Sequence, residues 1–184
     1  RRLLNHGLTV RALVHRNPLP INNDQLTCIQ ADITQAPAMK RICDGVDTVF
    51  HTAAQISLLG REHAPHAYFE ESWQINVDGT YNLLDACMVQ EVKRFVHTSS
   101  VDVCFQGDPL PNMDESLPYA TRFKAVYPQT KIAAEKLVLA ANCDQGFFTC
   151  AIRPDGIWGS ESNTMVDQFL ELLLAGRLKG RIGG

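Results

Sequence analysis

Residues 26–54, "LTCIQADITQAPAMKRICDGVDTVFHTAA", contain a strand, a helix and a second strand in succession. The runs at 26–32 and 46–54 are rich in apolar and β-branched residues, which favours buried strands. The segment between them, "APAMKRICDG", is typical of a short helix that ends at Gly45. Two strands joined by a helix predict a parallel pair of strands with the helix packed on one face.

The same alternation continues in both directions from this unit. Further strands are predicted at 8–15, 93–101 and 147–154, further helices at 67–90, 127–142 and 164–176, and loops at 55–66 and 105–124. Right-handed crossovers then predict an α/β fold with a Rossmann-type doubly wound parallel sheet. Because the strands are continuous apolar runs, we expect helices to cover the sheet on both faces.

The first residues, "RRLLNHG", are typical of the last turns of a helix closed by Gly7. A helix end followed by a strand implies an earlier strand and a phosphate-binding turn, so we interpret the chain as a fragment lacking the first strand. In the strand order 3-2-1-4-5-6 that strand lies at the sheet centre. The strands at 8–15 and 46–53 are therefore expected to lack their shared neighbour.

Composition narrows the class of protein. The chain has 184 residues, 45% hydrophobic and 20% charged, with a formal net charge of −3. These values fit a soluble globular domain and give no basic field for nucleic acid. No apolar run is long enough to span a membrane, and no secretory signal is visible. The six cysteines form no CxxC pair and no metal-ligand cluster, so we predict no metal site and interpret them as reduced thiols in a cytoplasmic protein.

A serine, a tyrosine and a lysine supply the candidate chemistry. Ser99 and Ser100 follow the strand at 93–101, and Tyr127 and Lys131 lie one turn apart on the same face of the next predicted helix. A free tyrosine has a pKa of about 10, and we expect the nearby ammonium to lower it. Such a set can move a proton between an alcohol and a carbonyl while a nicotinamide exchanges hydride. Alone, the Tyr-x-x-x-Lys spacing also fits a helix surface, and the serines fit a turn.

Other polar or small residues stand at predicted strand ends or in helices. Asp32 could bind an adenine amino group or cap the following helix. Ala53 and Ala54 would allow backbone to approach a dinucleotide, or they simply pack. Gly79 costs its helix about 1 kcal/mol relative to alanine, which indicates a packing or functional reason. Pro154 ends the last strand, either with no further role or as part of a binding site.

Taken in order, these segments resemble the extended short-chain dehydrogenase/reductase family, and within it the 3β-hydroxysteroid dehydrogenase/isomerase branch. The resemblance covers nearly the whole chain. It is carried by "QADIT", "DTVFHTAA", "INVDGTYNLLDAC", "RFVHTSSVDV", "DESLPYA", "YPQTKIAAEKLVLAAN" and "CAIRPDGIWG". It implies an NAD(P)-binding Rossmann domain over residues 1–160, truncated at its start, and the beginning of a substrate-binding region at 161–184.

The resemblance also implies roles for single residues. Tyr127 would be the general acid/base, Lys131 would hold the nicotinamide ribose and lower the tyrosine pKa, and Ser100 would orient the substrate. The catalytic set is thus Ser100, Tyr127, Lys131 and the supporting Asn76. The cofactor-binding set is His15, Arg16, Asp32, Ile33, Thr52, Ala53, Ala54, Ser99, Tyr127, Lys131, Pro154 and Ile157. A homodimer through the helices at 67–90 and 127–142 is implied as well.

The chain departs from the family pattern in three respects. It contains no glycine-rich phosphate turn, and most of the substrate region is absent. Asp155 stands where relatives often carry a small polar residue, which would alter the pocket floor.

The cofactor is either NAD or NADP. NAD-preferring relatives carry an acidic residue at the end of the second strand, whereas this chain has "LVHRNP" there. His15 and Arg16 suit a 2′-phosphate, which favours NADP, although Arg16 could also be a solvated charge. The frequent use of NAD in the steroid branch favours NAD.

Three functions are compatible with these features. The first is an NAD(P)-dependent oxidoreductase acting on a secondary alcohol or ketone, such as a 3β-hydroxysteroid or a similar hydrophobic small molecule. The second is an NAD-dependent sugar-nucleotide epimerase or dehydratase of the same fold. The third is a non-catalytic dinucleotide-binding regulatory protein, a class in which the tyrosine or the lysine is commonly lost.

Overall fold

The fold consists of parallel strands that alternate with helices along the chain. The computed structural model describes residues 1–56, 66–107, 113–123, 125–143, 146–157 and 165–177. The strands are β1 (Val10–Val14), β2 (Leu26–Gln30), β3 (Thr48–His51), β4 (Arg94–Thr98) and β5 (Phe148–Ile152). The helices are α1 (Arg2–Asn5), α2 (Ala36–Cys43), α3 (His66–Trp73), α4 (Gly79–Val89), α5 (Val126–Ala140) and α6 (Met165–Leu174). This alternation and the parallel pairing confirm the predicted α/β class.

The chain divides into two units, Arg1–Arg153 and Pro154–Gly184. The first unit contains all five strands and α1 to α5, and the second contains α6. The predicted domain limits at residues 160 and 161 remain a prediction. Much of the predicted loop at 55–66, part of that at 105–124 and the start of the helix at 164–176 lie outside the described residues.

The strands form two separate parallel sheets. One pairs β1 with β2, and the other has the order β3-β4-β5. A cavity of about 680 Å³ lies between β1 and β3, lined by residues of both strands, including Val10, Ala12, Thr48 and Phe50. This separation agrees with the predicted strand order, in which another strand lies between them.

The three-stranded sheet has one buried face and one exposed face. Phe95, His97 and His51 point to the buried face, where each is at most 2% exposed. On the opposite face Phe50 and Phe148 are 54% and 53% exposed. Within the described part of the unit Arg1–Arg153, side chains alternate along each strand and helices pack against the buried face. That helices cover both faces remains a prediction.

The main core lies between helices α2 and α4 and the buried face of the sheet. Met39, Cys87, Phe95 and Val138 are completely buried there. Burial of a side chain as large as Phe95 contributes roughly 1.5–3 kcal/mol. Arg11 on β1 donates to the carbonyl oxygens of Ile42 and Asp44 at 2.8 and 2.6 Å, so a cation satisfies the carboxyl end of α2.

The predicted single helix at 67–90 consists of three segments, which corrects that prediction. α3 is followed by a π-helical segment, Gln74–Asp78, and then by α4. π-helical turns commonly occur at functional sites. The segment brings Asn76 into a buried position and places Gly79 against Ile33, the residue that follows Asp32 beyond β2.

Gly79 has the packing role that its cost in a helix indicated. A Cβ atom at this position would lie 2.8 Å from Cγ2 and 3.2 Å from Cγ1 of Ile33. Ile33 is itself only 6% exposed, so it has little room to move. Asn82 strengthens the same junction, since its Nδ2 donates to the carbonyl oxygens of Ile33 and Thr34.

Three properties bear on membranes, metals and redox state. No helix in the described part of the chain is long and apolar enough to cross a membrane. Within those same ranges, no group of three or more His, Cys, Asp or Glu side chains could hold a metal ion. All six cysteines are free thiols, and the buried Sγ atoms of Cys43 and Cys87 are 3.8 Å apart.

We expect Gly79→Ala to destabilise the full natural protein by up to about 2 kcal/mol, because overpacking a core costs about 1–3 kcal/mol and the gain in helix propensity offsets about 1 kcal/mol of that cost. Urea unfolding would measure the loss. A double-mutant cycle with Ile33→Ala should show coupling, since the smaller side chain removes the clash. A Gly79→Ala variant more stable than the parent would contradict the close contact.

Candidate active site

Helix α5 places Tyr127 and Lys131 one turn apart on one face. The helix begins after Ala125, whose backbone is extended (φ −139°, ψ 162°). Pro128 lies in the first turn, where its missing N–H has no intrahelical partner to lose. Thr130 in the same turn donates to the carbonyl oxygen of Tyr127 at 2.8 Å.

Ser100 stands at the carboxyl end of β4 and begins a short 3₁₀ helix, Val101–Val103. Its Oγ accepts a hydrogen bond from the Asp102 backbone N–H at 3.2 Å and donates to Asp102 Oδ2 at 3.1 Å. The serine therefore makes the local turn contact that was the alternative interpretation. Its hydroxyl also acts on the phenol of Tyr127, whose pKa it lowers, so the structure brings two of the predicted catalytic residues near each other.

The pKa of Tyr127 is raised, which corrects the expectation that Lys131 lowers it. Burial of the phenol is the largest cause, and the negative charge of Asp102 adds to it, while the hydrogen bond with Ser100 acts in the opposite direction. The Lys131 ammonium is directed elsewhere: it donates to the carbonyl oxygen of Thr98. In this arrangement Tyr127 holds its proton near neutral pH.

Lys131 is a buried cation, only 2% exposed. Its Nζ lies 2.5 Å from the Thr98 carbonyl oxygen and 3.4 Å from Nε2 of His97. Burial lowers the pKa of Lys131 to about 8, and the negative charge of Glu135 raises it in part. The ammonium form is thus retained at neutral pH but is lost more easily than in an exposed lysine.

Two histidines on the buried face of the sheet lie behind Lys131. The rings of His51 and His97 have centroids 5.1 Å apart. Burial first, and the charge of Lys131 second, lower the pKa of His51 to about 3 and that of His97 to about 2. Both rings are therefore neutral at any pH at which the protein is expected to work.

The hydrogen-bond partners of His51 and His97 determine which ring nitrogen of each histidine carries the proton. Thr80 donates its hydroxyl proton to the carbonyl oxygen of Asn76 at 2.7 Å, so it accepts from Nε2 of His51 at 2.8 Å. The Lys131 ammonium can only donate, so Nε2 of His97 is an acceptor and its proton lies on Nδ1. That Nδ1 is buried and has no partner within the described residues.

Asn76 joins three parts of the site. Its Oδ1 accepts from the backbone N–H of Gln55 at 2.7 Å, and its Nδ2 donates to the Gln55 carbonyl oxygen at 3.0 Å. The same Nδ2 donates to Oγ1 of Thr130 at 2.9 Å. The π-helical segment is therefore tied both to the chain that follows β3 and to the turn of α5 that carries Tyr127.

The end of β2 carries the predicted adenine-side residues. Asp32 Oδ1 accepts from the backbone N–H and the hydroxyl of Thr34 at 2.9 and 2.8 Å. These bonds lower the pKa of Asp32, and the charges of His15 and Arg16 contribute less. Nε2 of His15 lies 3.7 Å from Asp32 Oδ2. The acid thus orders the turn before α2 and still faces the basic end of β1.

The remaining predicted residues lie at the ends of β3 and β5. Thr52 and Ala53 line the cavity between β1 and β3, and Ala54 is half-buried beside them in the chain. Pro154 and Ile157 belong to the second unit, so their proposed place beside the nicotinamide remains a prediction. Asp155 Oδ1 accepts from the Gly156 N–H at 2.8 Å, and its effect on a pocket floor remains a prediction too.

The sequence analysis missed several residues that are hydrogen-bonded to the predicted site residues or share a charge effect with them. They are His51, His97, Asp102, Thr130 and Glu135. A signal existed for the histidines, because each is the only imidazole in an apolar strand, in "TVFH" and "RFVHT". Glu135 could have been noticed as the next residue on the face of α5 that carries Tyr127 and Lys131.

Small residues and backbone groups at these strand ends fit a dinucleotide at the carboxyl edge of the sheets. In parallel α/β sheets ligands bind at this edge. Thr52 and Ala53 are exposed there, and Ala54 and Ser100 are more enclosed. Tyr127 lies half-buried at the start of α5 and Asp32 lies beyond the end of β2.

Comparison with known proteins gives a consistent family. The model of the 3-beta hydroxysteroid dehydrogenase/isomerase family matches residues 10–184. A 3-beta-hydroxysteroid dehydrogenase of Mycolicibacterium neoaurum is 43% identical over 182 residues, which cover 98% of this chain and 50% of that protein. A 3 beta-hydroxysteroid dehydrogenase/Delta 5-->4-isomerase of Mycobacterium tuberculosis (strain ATCC 25618 / H37Rv) is 43% identical over 181 residues, covering 98% of this chain and 49% of that protein.

A solved structure agrees with the fold. MoeE5 in complex with UDP-glucose and NAD has a TM-score of 0.77 and 28% sequence identity, covering 95% of this chain and 56% of that one. The chain spans about half the length of the curated relatives it matches.

We expect Asn76→Ala to lower the free energy of unfolding of the full natural protein by about 2 kcal/mol, because it leaves polar groups of Gln55 without partners. Cofactor binding should weaken as well, since the chain after β3 loses its anchor to α5. Chemical unfolding and a fluorescence titration would measure the two effects. Asn22→Ala, at an exposed position, is the control; equal behaviour of the two variants would show that the bridge is unimportant.

Proposed function

Because this chain belongs to the 3-beta hydroxysteroid dehydrogenase/isomerase family, we propose that it forms the cofactor-binding part of an NAD(P)-dependent oxidoreductase. The enzyme interconverts a secondary alcohol and a ketone. The observation that carries the proposal is the meeting of Ser100, Tyr127 and Lys131: the serine hydroxyl acts on the half-buried phenol, and a buried ammonium lies one helical turn away.

Tyr127 moves the proton in this proposal. With its pKa raised by burial and by Asp102, Tyr127 is protonated near neutrality and can donate its proton to a carbonyl oxygen. In the reverse direction its phenolate takes the hydroxyl proton of the alcohol. Ser100 orients the substrate oxygen, and Lys131 would hold the ribose of a bound nicotinamide nucleotide. A bound nicotinamide would supply or accept the hydride.

A hydrophobic alcohol such as a 3β-hydroxysteroid is the proposed substrate class. The support comes from the names of the two bacterial relatives at 43% identity. The second candidate is an NAD-dependent sugar-nucleotide epimerase or dehydratase, because the MoeE5 structure holds UDP-glucose and NAD. The presence of both Tyr127 and Lys131 argues against a non-catalytic dinucleotide-binding protein.

The proposed cofactor is NADP in preference to NAD. Arg16 follows His15 at the exposed end of β1, and the one acid nearby, Asp32, is occupied by Thr34 and faces His15. A free cation beside the adenosine ribose suits a 2′-phosphate better than a 2′-hydroxyl. The MoeE5 structure, solved with NAD, supports the opposite choice.

We also propose a homodimer formed through α4 and α5. Exposed apolar side chains on these helices support it: Tyr81, Met88 and Leu139 are 57%, 51% and 46% exposed. Light scattering of the full natural protein should then give the mass of two chains. The six free thiols support a reducing, cytoplasmic location.

We expect Tyr127→Phe to lower kcat by about 10²–10⁴-fold, because the variant keeps the ring but has no proton to transfer. Initial rates of the full natural protein with a 3β-hydroxysteroid and either cofactor would measure the loss. Tyr81→Phe, which removes an exposed hydroxyl on α4 and keeps the ring, tests whether the loss is specific to Tyr127. Normal turnover by Tyr127→Phe would refute the acid/base role. Turnover of UDP-sugars but not of steroids would select the second candidate.

Arg16→Ala should weaken NADP binding about tenfold or more and leave NAD binding nearly unchanged, because only NADP offers a 2′-phosphate to the guanidinium. Fluorescence titration of both cofactors gives the two dissociation constants. Arg2→Ala removes an exposed arginine on α1 as a control. Tighter binding of NAD than of NADP by the unaltered protein would make the NADP assignment wrong.

A further inference from the structure

Glu135 is a buried carboxylate that lies one helical turn beyond Lys131 on α5. Its side chain is 1% exposed. Carboxylates are almost never fully buried unless they are paired, so its partners need an explanation. None of the roles proposed above for Ser100, Tyr127 and Lys131 requires this residue.

The carboxylate ties together three pieces of chain that surround the candidate active site. Oε2 accepts a hydrogen bond from the hydroxyl of Ser99, directly after β4. Oε1 accepts from the Tyr119 hydroxyl at 3.0 Å, and from Nε and an Nη atom of Arg153 at 3.1 and 2.7 Å. Arg153 follows β5, so one side chain connects α5 to the ends of both strands and to the loop between β4 and α5.

Arg153 is fixed in turn by other neighbours. Its guanidinium carbon lies 5.3 Å from the centre of the Tyr119 ring, and its second Nη atom donates to Cys104 Sγ at 3.3 Å. The guanidinium therefore has contacts on several sides and is 20% exposed. The pair is held in a defined position, as hydrogen-bonded arginine–carboxylate pairs generally are.

The charges are consistent with an ionised Glu135. Burial alone would raise its pKa, but hydrogen bonds from Arg153, Ser99 and Tyr119 outweigh burial and lower it. The hydrogen bonds to Glu135 raise the pKa of Arg153 above its already high ordinary value. Both partners thus remain charged at neutral pH, and the carboxylate adds a negative charge near the Lys131 ammonium.

We propose that Glu135 is a positioning residue of the active site, which fixes Ser99 and hence the adjoining Ser100 and acts as the buried counter-charge that keeps Lys131 an ammonium. This inference rests on the proposed function, because it assigns Glu135 a part in the same proton transfer. Tyr127, Lys131 and Glu135 occupy successive turns of one helical face, so the backbone positions of Lys131 and Glu135 are about 6 Å apart along the helix axis.

A pair with only a structural role would not need this location. Buried ion pairs contribute little net stability, and apolar residues of similar volume often replace them at no cost. Here the Glu135–Arg153 pair accepts a hydrogen bond from Ser99, the neighbour of Ser100, and Glu135 lies one helical turn from Lys131.

The groups around Lys131 allow the effect of the Glu135 charge on the Lys131 pKa to be measured separately. The charged and titratable groups facing it are His97 from β4, His51 from β3, and Tyr127 and Glu135 from α5. The histidines remain neutral, and Asp102 of the 3₁₀ helix acts on Tyr127. Asn76, from the π-helical segment, carries no charge. Glu135 is therefore the anion whose removal changes the Lys131 equilibrium most directly.

The experiment compares Glu135→Gln with Glu91→Gln in the full natural protein. Glu91 is an exposed carboxylate after α4 and serves as the matched control. With its anion removed, Lys131 should lose its proton at lower pH, so the alkaline limb of the kcat/KM profile should move down by about one pH unit. The loss of kcat/KM should then be about tenfold larger at about pH 8.5 than at about pH 6.

Arg153→Gln is the second variant and decides the question even where Glu135→Gln does not fold. This variant removes the cation that neutralises Glu135, so the Glu135 charge acts more strongly on Lys131 and raises its pKa. The alkaline limb of the kcat/KM profile should therefore move to higher pH. Shifts of opposite sign in the two variants support the proposal. A loss of activity equal at every pH, or shifts of the same sign, would show a structural role only and overturn it.

An NMR titration of lysine labelled with ¹³C at Cε, with the Lys131 signal assigned by its loss in Lys131→Arg, gives the pKa of Lys131 without turnover. A downward shift in Glu135→Gln in a protein inactive towards 3β-hydroxysteroids would preserve the counter-charge inference and reject the proposed function. An unchanged Lys131 pKa in an active enzyme would reject the inference and leave the proposed function standing.

Discussion

The burial of the Lys131 ammonium is the constraint on which the rest of the site depends. Removing a cation from water costs several kcal/mol, which only hydrogen bonds and an opposite charge can offset. The Thr98 carbonyl oxygen and Nε2 of His97 provide the hydrogen bonds, and Glu135 provides the charge. The compensation is incomplete, since the pKa of Lys131 is about 8. Each neighbour is thus explained by one requirement: a positive charge has to be kept in an enclosed position close to a phenol.

The helix that faces α5 departs from regular geometry for a related reason. A regular α-helix over 67–90 would continue the usual pattern of hydrogen bonds, whereas the π-helical segment Gln74–Asp78 shifts the helix face at Asn76. The shifted amide reaches the backbone of Gln55 and the hydroxyl of Thr130 together. Gly79 then allows α4 to approach Ile33 beyond β2. The chain after β3, the end of β2 and the catalytic helix are consequently connected through one irregular turn.

The sequence was sufficient for the features that depend on periodicity. Alternating strands and helices predicted the parallel α/β fold, and the four-residue spacing predicted that Tyr127 and Lys131 share a face. The π-helical segment could not be predicted, because its side-chain pattern differs little from that of an α-helix over so short a length. The pKa of Tyr127 was predicted in the wrong direction, since its sign depends first on burial of the phenol, then on how close Asp102 lies and on where the Lys131 ammonium points. None of these is visible in residue spacing.

The position of Asp102 bears on the direction of proton transfer. A tyrosine near a lysine alone is expected to favour its phenolate, the form that removes a proton from an alcohol. Here Asp102 accepts from Ser100, and its negative charge adds to burial in raising the pKa of Tyr127. If Tyr127 carries the proton, this charge favours the protonated form and hence donation to a carbonyl oxygen. Burial of the phenol and the charge of Asp102, and not the presence of the tyrosine alone, would then set the pH at which each direction of the reaction is fastest.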